Sequence, residues 1–190
     1  MTAPSRTLGI AFSDGDRTSR VAGAVVRADG TLDGLAFERC AVGGTDATDA
    51  VIDLFDALGR EDVRHVACAG VAPAWFNLVD LRRLHEALDR PVYAVSYEAS
   101  PGLGPALREA FDGDDLDRRL RVYRSLPPRA RVDRDESDAG DPLFVRAVGL
   151  DDERAAAVVS ELVREGFRRP EPLRIAALAA SAHREAVDAA

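Results

Sequence analysis

Val66-Ala67-Cys68-Ala69-Gly70-Val71-Ala72-Pro73-Ala74-Trp75-Phe76-Asn77-Leu78-Val79-Asp80-Leu81 is the stretch that decides the reading of this chain. An apolar run ends in glycine, crosses a proline-containing loop and enters an amphipathic segment. That order is a buried parallel strand, a loop at its carboxyl end, and a helix. In open α/β sheets, ligands sit outside the carboxyl ends of such strands. The loop also carries Trp75, the single tryptophan of the 190 residues.

Upstream, residues 7–12 alternate Leu8, Ile10 and Phe12 with smaller residues, as a strand does. Residues 13–18 are polar, with Asp14-Gly15 as a turn, and residues 21–26 form a second strand. Asp29-Gly30 turns the chain into a third strand over 32–40, completing an antiparallel meander. After Gly43-Gly44, Thr45 or Asp46 can cap a helix that shows Ala47, Val51, Leu54, Phe55 and Leu58 on one face. Gly59 closes it. A central strand is expected over 63–69.

Downstream, Leu81, Leu84 and Leu88 mark a helix over 80–88, and Pro91 opens a strand through Tyr97. Two short helices are expected over 103–111 and 115–126, ended by Pro127-Pro128. Residues 129–141 read as an exposed polar loop and 143–148 as a last strand. Helices follow over 151–165 and 173–187. Alternating helices and strands after a meander give one α/β domain over 1–190 with a mixed central sheet.

Composition narrows the class. The chain is 46% hydrophobic and 31% charged, which suits a globular protein. No apolar run approaches the roughly 20 residues of a membrane span, and the N-terminus has no long apolar segment of a secretory signal. A cytoplasmic protein is expected, with Cys40 and Cys68 as buried reduced thiols. The net charge is −8, there is no lysine, and 22 Asp stand against 11 Glu. Such a surface suits a salt-rich cytoplasm, although a GC-rich genome also favours Arg over Lys. Acidity argues against nucleic-acid binding in ordinary salt and less so in molar salt, where charge is screened.

Three segments carry a resemblance. Gly44-Thr45-Asp46-Ala47-Thr48 resembles the G-T-D-A-T signature of the archaeal family called domain of unknown function 99, which is similar to endonuclease V. Trp75-Phe76-Asn77-Leu78-Val79-Asp80-Leu81 resembles its G-F-N-V-V-D-I motif. Pro170-Glu171-Pro172-Leu173-Arg174-Ile175-Ala176 resembles its P-E-P-L-R-x-A motif. The resemblance implies a ribonuclease H-like fold and a phosphodiesterase that cuts DNA or RNA near deaminated bases, inosine or uracil. It also implies Mg²⁺ held by carboxylates from the first strand, the fourth strand and neighbouring helices. At those positions this chain departs from the family. Ala11, Ala69 and Ala177 stand where acidic or histidine ligands are expected, and alanine can neither coordinate a metal nor move a proton.

The remaining candidates each have a plainer reading. Asp46 and Asp80 are the candidate catalytic carboxylates, but either can simply favour a helix N-terminus. Asp14 and Asp46 are the candidate metal ligands. Trp75 and Phe76 can stack on a base or close the core; Asn77 can contact a ligand or hold the loop. Residues 117–134 carry seven Arg and two acids, so Arg121 and Arg124 can follow a phosphate backbone or form a solvated face that pairs with the acidic segment 135–141. Arg174 can contact phosphate or form an ion pair with its surroundings. The dispersed His65, His85 and His183 read as surface residues. No phosphate-binding glycine loop or hydrolase triad is present. Two functions follow: an endonuclease V-like nucleic-acid protein with degenerate metal catalysis, or a non-catalytic module that binds a protein or ligand.

Overall fold

The computed structural model describes residues 3–132 and 142–190. Its seven described strands form one mixed sheet in the order β3-β2-β1-β4-β5-β7-β6. β1 (Arg6–Asp14), β2 (Thr18–Arg27) and β3 (Leu32–Ala41) make the antiparallel meander, with Ile10 opposite Gly23 and Gly23 opposite Ala36. β4 (His65–Ala69) lies parallel to β1, with Cys68 beside Ile10, and β5 (Val92–Ser96) lies parallel to β4. β7 (Leu143–Val148) runs antiparallel to β5, and β6 (Ala130–Val132) completes that edge.

Seven helical segments are described. They are α1 (Ala47–Leu58), the single turn α2 (Pro73–Phe76), α3 (Leu81–Leu88), α4 (Gly104–Ala110), α5 (Gly113–Ser125), α6 (Asp152–Leu162) and α7 (Glu171–Asp188).

The period-two alternation of β1 decides which side chain meets which layer. Leu8 and Ile10 enter the core beneath α1 and α3, with Val51, Leu54, Leu81 and Leu84. Gly9 and Ala11 point to the other face, where α7 crosses. A Cβ at Gly9 would fall 2.2 Å from the Pro172 carbonyl oxygen, so glycine lets the first turn of α7 touch the strand. Further along, Ala176 packs on Ala11, Ala24 and Val26. Small residues on both sides bring helix and sheet close, which the Ala-rich sequence of α7 anticipates. On the same face α6 packs Ala155, Val158 and Val159 over Ala67, Tyr93 and Val145.

The expected meander and crossovers are present, with local differences. The β1–β2 turn is tighter, leaving only Gly15–Arg17 outside strands. Part of the expected loop after Pro128 is strand β6, which pairs Arg131 with Phe144; residues 133–141, where the acidic segment falls, lie outside the described residues. α6 stops at Leu162 because Val163 turns extended and bridges to Pro170. α7 begins two residues early, with Pro172 in its first turn, where a missing N–H costs nothing. Cys40 and Cys68 are free and buried, and burial pushes each thiol up to about 12. Among the described residues no helix is long and apolar enough to cross a membrane.

Candidate functional site

The carboxyl end of β4 meets two very different neighbourhoods, one on each face of the sheet. On the α1/α3 face a polar knot ties the opening loop to the start of α1. Asn77 is fully buried. Its Oδ1 accepts from the Ala47 amide at 2.9 Å, and its Nδ2 donates to the Ala41 carbonyl at 2.8 Å and to Asp46 Oδ1 at 2.7 Å. Asp46 in turn accepts from the Ala41 amide at 3.1 and 3.2 Å. Asp46 thus holds the end of β3 and makes no side-chain cap on α1; the capping oxygen comes from Asn77, 30 residues away. This corrects the expectation that Thr45 or Asp46 caps the helix.

Asp80 does cap its own helix, accepting from the Arg82 and Arg83 amides at 3.1 Å each. Its own amide donates to Thr48 Oγ1 at 3.0 Å. A small cleft of about 90 Å³ brings Asp80 beside Thr45, Arg83 and Arg118. The Asp46 carboxylate is therefore held by the end of β3 and Asn77, and the Asp80 carboxylate by the start of α3. Asp14 accepts from Ser19 Oγ at 2.6 Å in the β1–β2 hairpin. Among the described residues no group of three His, Cys, Asp or Glu side chains could hold a metal ion.

Between the two helix starts, the loop is strained. Ala74, Trp75 and Phe76 have φ of 48°, 50° and 61°, a left-handed run of three non-glycine residues. Each costs about 1–2 kcal/mol, and such a run persists only where its surroundings enforce it. The Ala74 carbonyl accepts from the Gly43 amide at 2.7 Å, and the Phe76 carbonyl from Arg119 Nε at 3.1 Å. Arg119 also donates to the Gly43 and Gly44 carbonyls at 2.6 and 3.0 Å, and its guanidinium covers the Phe111 ring at 3.7 Å. It is only 3% exposed, and burial pulls its pKa down. The run of arginines suggested Arg121 and Arg124; the residue that organises the site is Arg119, which spacing alone does not set apart.

The strain turns Trp75 outward. Its ring lies over Gly43, where a Cβ would sit 2.7 Å from Cε3, and it remains 54% exposed beside Phe111 at 5.0 Å. Phe76 is half-buried in the same aromatic group. Arg121 and Arg124 lie exposed on α5 with no hydrogen-bond or ion-pair partner among the described residues. Arg174 is placed elsewhere. It forms a two-pronged pair with Glu171 at 2.7 and 2.8 Å, near the amino end of β1, and lowers the Glu171 pKa. Of the histidines expected on the surface, His65 is buried edge-on to Tyr93, and burial lowers its pKa; His183 stacks on Phe37.

On the α7 face the side of this strand end next to β1 is apolar. Ala69 and Ala177 pack against the cluster of Ala11, Ala24, Val26 and Ala176. Ala11 is 2% exposed. Three alanines from β1, β4 and α7 thus meet in one place.

Comparison with known proteins gives this geometry a lineage. Residues 4–184 match the model of the family described as endonuclease dU. The chain belongs to the endonuclease dU family. A UPF0215 protein of Thermococcus kodakarensis is 37% identical over 74% of this chain and 69% of its own. One from Pyrobaculum calidifontis is 31% identical over 92% and 93%. A protein of unknown function from Archaeoglobus fulgidus superposes with a TM-score of 0.81 at 26% identity, covering 94% and 97% of the two chains. Endonuclease V from Bacillus subtilis shares the fold at a TM-score of 0.66 and 12% identity, over 99% of this chain and 85% of that one. So does Ciona intestinalis endonuclease V, solved with an inosine-containing DNA, at 0.61 and 12%, over 96% and 87%.

Within this endonuclease dU chain, the structure brings together the three positions at which the family resemblance implied metal ligands. It does not bring Asp46 or Asp80 to them: those carboxylates lie on the α1/α3 face. Side chains packed as this alanine cluster offer Mg²⁺ no oxygen donors, whereas such an ion takes several. The residues present do not fit the metal.

Proposed function

We propose that this chain is a nucleic-acid-binding member of the endonuclease dU family, built on a ribonuclease H-like fold, whose metal-dependent hydrolysis has been lost. The convergence of Ala11, Ala69 and Ala177 carries the reading. Two-metal and one-metal hydrolysis alike need fixed oxygen or nitrogen donors to activate water and stabilise a leaving oxygen. Removing them from all three elements at once leaves no route for that chemistry at this point, while the scaffold around it is kept.

What remains supports binding. Trp75 stands half out of the surface on a loop that is strained to present it, with Phe76 beside it. α5 shows Arg121 and Arg124 outward, in a chain that is otherwise acidic. Stacking on an aromatic ring and phosphate contacts from guanidiniums together bind single strands with little sequence preference. Because the Ciona endonuclease V structure holds an inosine-containing DNA, deaminated-base DNA or RNA is the first ligand to try.

Endonuclease assays on uracil- and inosine-containing DNA and RNA, with Mg²⁺ or Mn²⁺ in low and high salt, are expected to give no cleavage. Binding titrations on the same strands are expected to show affinity that falls with salt and falls further in the doubly substituted Arg121→Glu/Arg124→Glu chain. Losing two phosphate contacts should flatten the log–log salt slope by about 1.5–2. Robust cleavage that disappears in Asp46→Ala would overturn the loss of catalysis. No binding at any salt would favour the second reading, a module for a protein or small ligand.

A further inference from the structure

We propose that a cavity at the carboxyl ends of β4 and β5, next to the candidate site, binds a nucleoside monophosphate, either free or as the terminal phosphorylated residue of a strand. The cavity holds about 430 Å³, within the ~300–1,000 Å³ usual for small-molecule sites. It shares Gly70, Val71 and Ala72 with the loop that leads into Trp75, but is lined by neither Trp75 nor Arg121 nor Arg124.

Its lining has two chemistries. Val71, Val95, Leu103 and Leu173 give apolar walls suited to a flat ring. Arg129, Arg146 and Arg169 bring three guanidiniums, against one carboxylate, Glu98. None of the three has an ion-pair partner among the described residues. Arg129 is aimed by backbone carbonyls, donating to Glu98 O at 2.8 Å and Ser100 O at 2.6 Å, and it lies 4.8 Å from the Phe144 ring centre. Arg146 donates to the Pro127 carbonyl, and burial pulls its pKa down. A half-buried guanidinium without an anion is costly, and a phosphate entering the cavity would remove that cost.

Tyr97 supplies the third feature. Its ring lies under the Arg169 guanidinium at 5.4 Å, and its hydroxyl is buried without a hydrogen-bond partner. Buried polar groups are nearly always paired, so an orphan phenol at a cavity wall points to an acceptor supplied by a ligand. Phosphate alone would leave the apolar walls wet, and a neutral ring alone would leave the cations unmatched. A phosphomonoester joined to a flat heterocycle satisfies both.

Binding does not require the strand-binding reading, because the free-nucleotide measurement stands by itself. Calorimetry on the full chain would compare uridine and adenosine 5′-monophosphates, the two nucleosides, inorganic phosphate, and a dinucleotide with and without a 5′-phosphate. Monophosphates are expected to bind at least about tenfold more tightly than nucleosides or phosphate. A preference for the 5′-phosphorylated dinucleotide over the bare one identifies the strand end as the source; binding of the free monophosphates alone identifies free nucleotide. Arg169→Glu, at an exposed side chain, is expected to weaken binding about tenfold with an unchanged melting temperature. Tyr97→Phe should weaken binding several-fold while leaving the free protein as stable or more so, which a purely structural tyrosine would not do. No saturable binding up to about 1 mM, or phosphate binding as tightly as the monophosphates, would overturn the proposal.

Discussion

The two faces of the sheet treat the end of β4 in opposite ways. Towards α1 and α3, Asn77, Asp46, Thr48 and Arg119 are woven into one polar network that reaches across three loops. Towards α7, the corresponding depth is filled by Ala11, Ala69 and Ala177. The first face holds shape: its polar atoms pair with one another and with backbone. The second face, where the resemblance implied metal ligands, is apolar and closely packed. The loop that presents Trp75 and the alanine cluster are therefore held by different residues on different layers, so a change on one face need not disturb the other.

The largest effect should come from reversing the alanine face. Ala11→Asp places a carboxylate among alanines with no partner, and an uncompensated buried charge costs roughly 3–5 kcal/mol. Adding Ala69→Asp should deepen the loss without metal and make stability depend on Mn²⁺. Thermal melts with and without Mn²⁺ would read this. A double variant as stable as the parent, with no response to Mn²⁺, would show that the three alanines do not converge as described.

The polar face should break by a smaller amount. Asn77→Ala removes the cap on α1, leaving the Ala47 amide unpaired, and takes one donor each from the Ala41 carbonyl, which keeps the Gly44 amide, and from Asp46, which keeps the Ala41 amide. About 2–4 kcal/mol is expected from one lost cap and two further lost hydrogen bonds. Chemical denaturation measures it directly. A loss below about 0.5 kcal/mol, the range of surface substitutions, would mean that the knot does not hold the loop.

Acid should act on neither face but at the far end of the meander. Arg27, Arg6 and Arg60 all donate to Asp33 and hold its carboxyl well below the usual carboxylate range. Because the folded value lies below the unfolded value of about 3.9, this support is fully present above about pH 5 and is lost as pH falls through the depressed value. A melting temperature that declines below pH 4, and declines less steeply in Asp33→Asn and in high salt, is the expected result.

Much of the layout was legible because it rests on local signals. The alternation of Leu8 and Ile10, the Asp29-Gly30 turn and the leucines of α3 each mark their own element. The knot was not legible, because its bonds join residues 30 to 76 positions apart: Asn77 caps Ala47, and Arg119 reaches Gly43. Six other arginines surround Arg119 in the sequence, and only the fold buries that one. β6 escaped because three residues, Ala130–Val132, are too few for alternation to register. The alanines were visible one by one as departures from the family that the chain resembles. Their meeting in a single apolar cluster is a property of the packed helix and sheet.

Soaking crystals of the unmodified chain in Mn²⁺ and locating the ion by its anomalous scattering tests the alanine face most directly. No manganese is expected at Ala11, Ala69 and Ala177, nor between Asp46 and Asp80, whose carboxylates are already committed to backbone and Asn77. An ordered manganese ligated by Asp46 or Asp80 and open to the cleft would contradict the loss of metal chemistry.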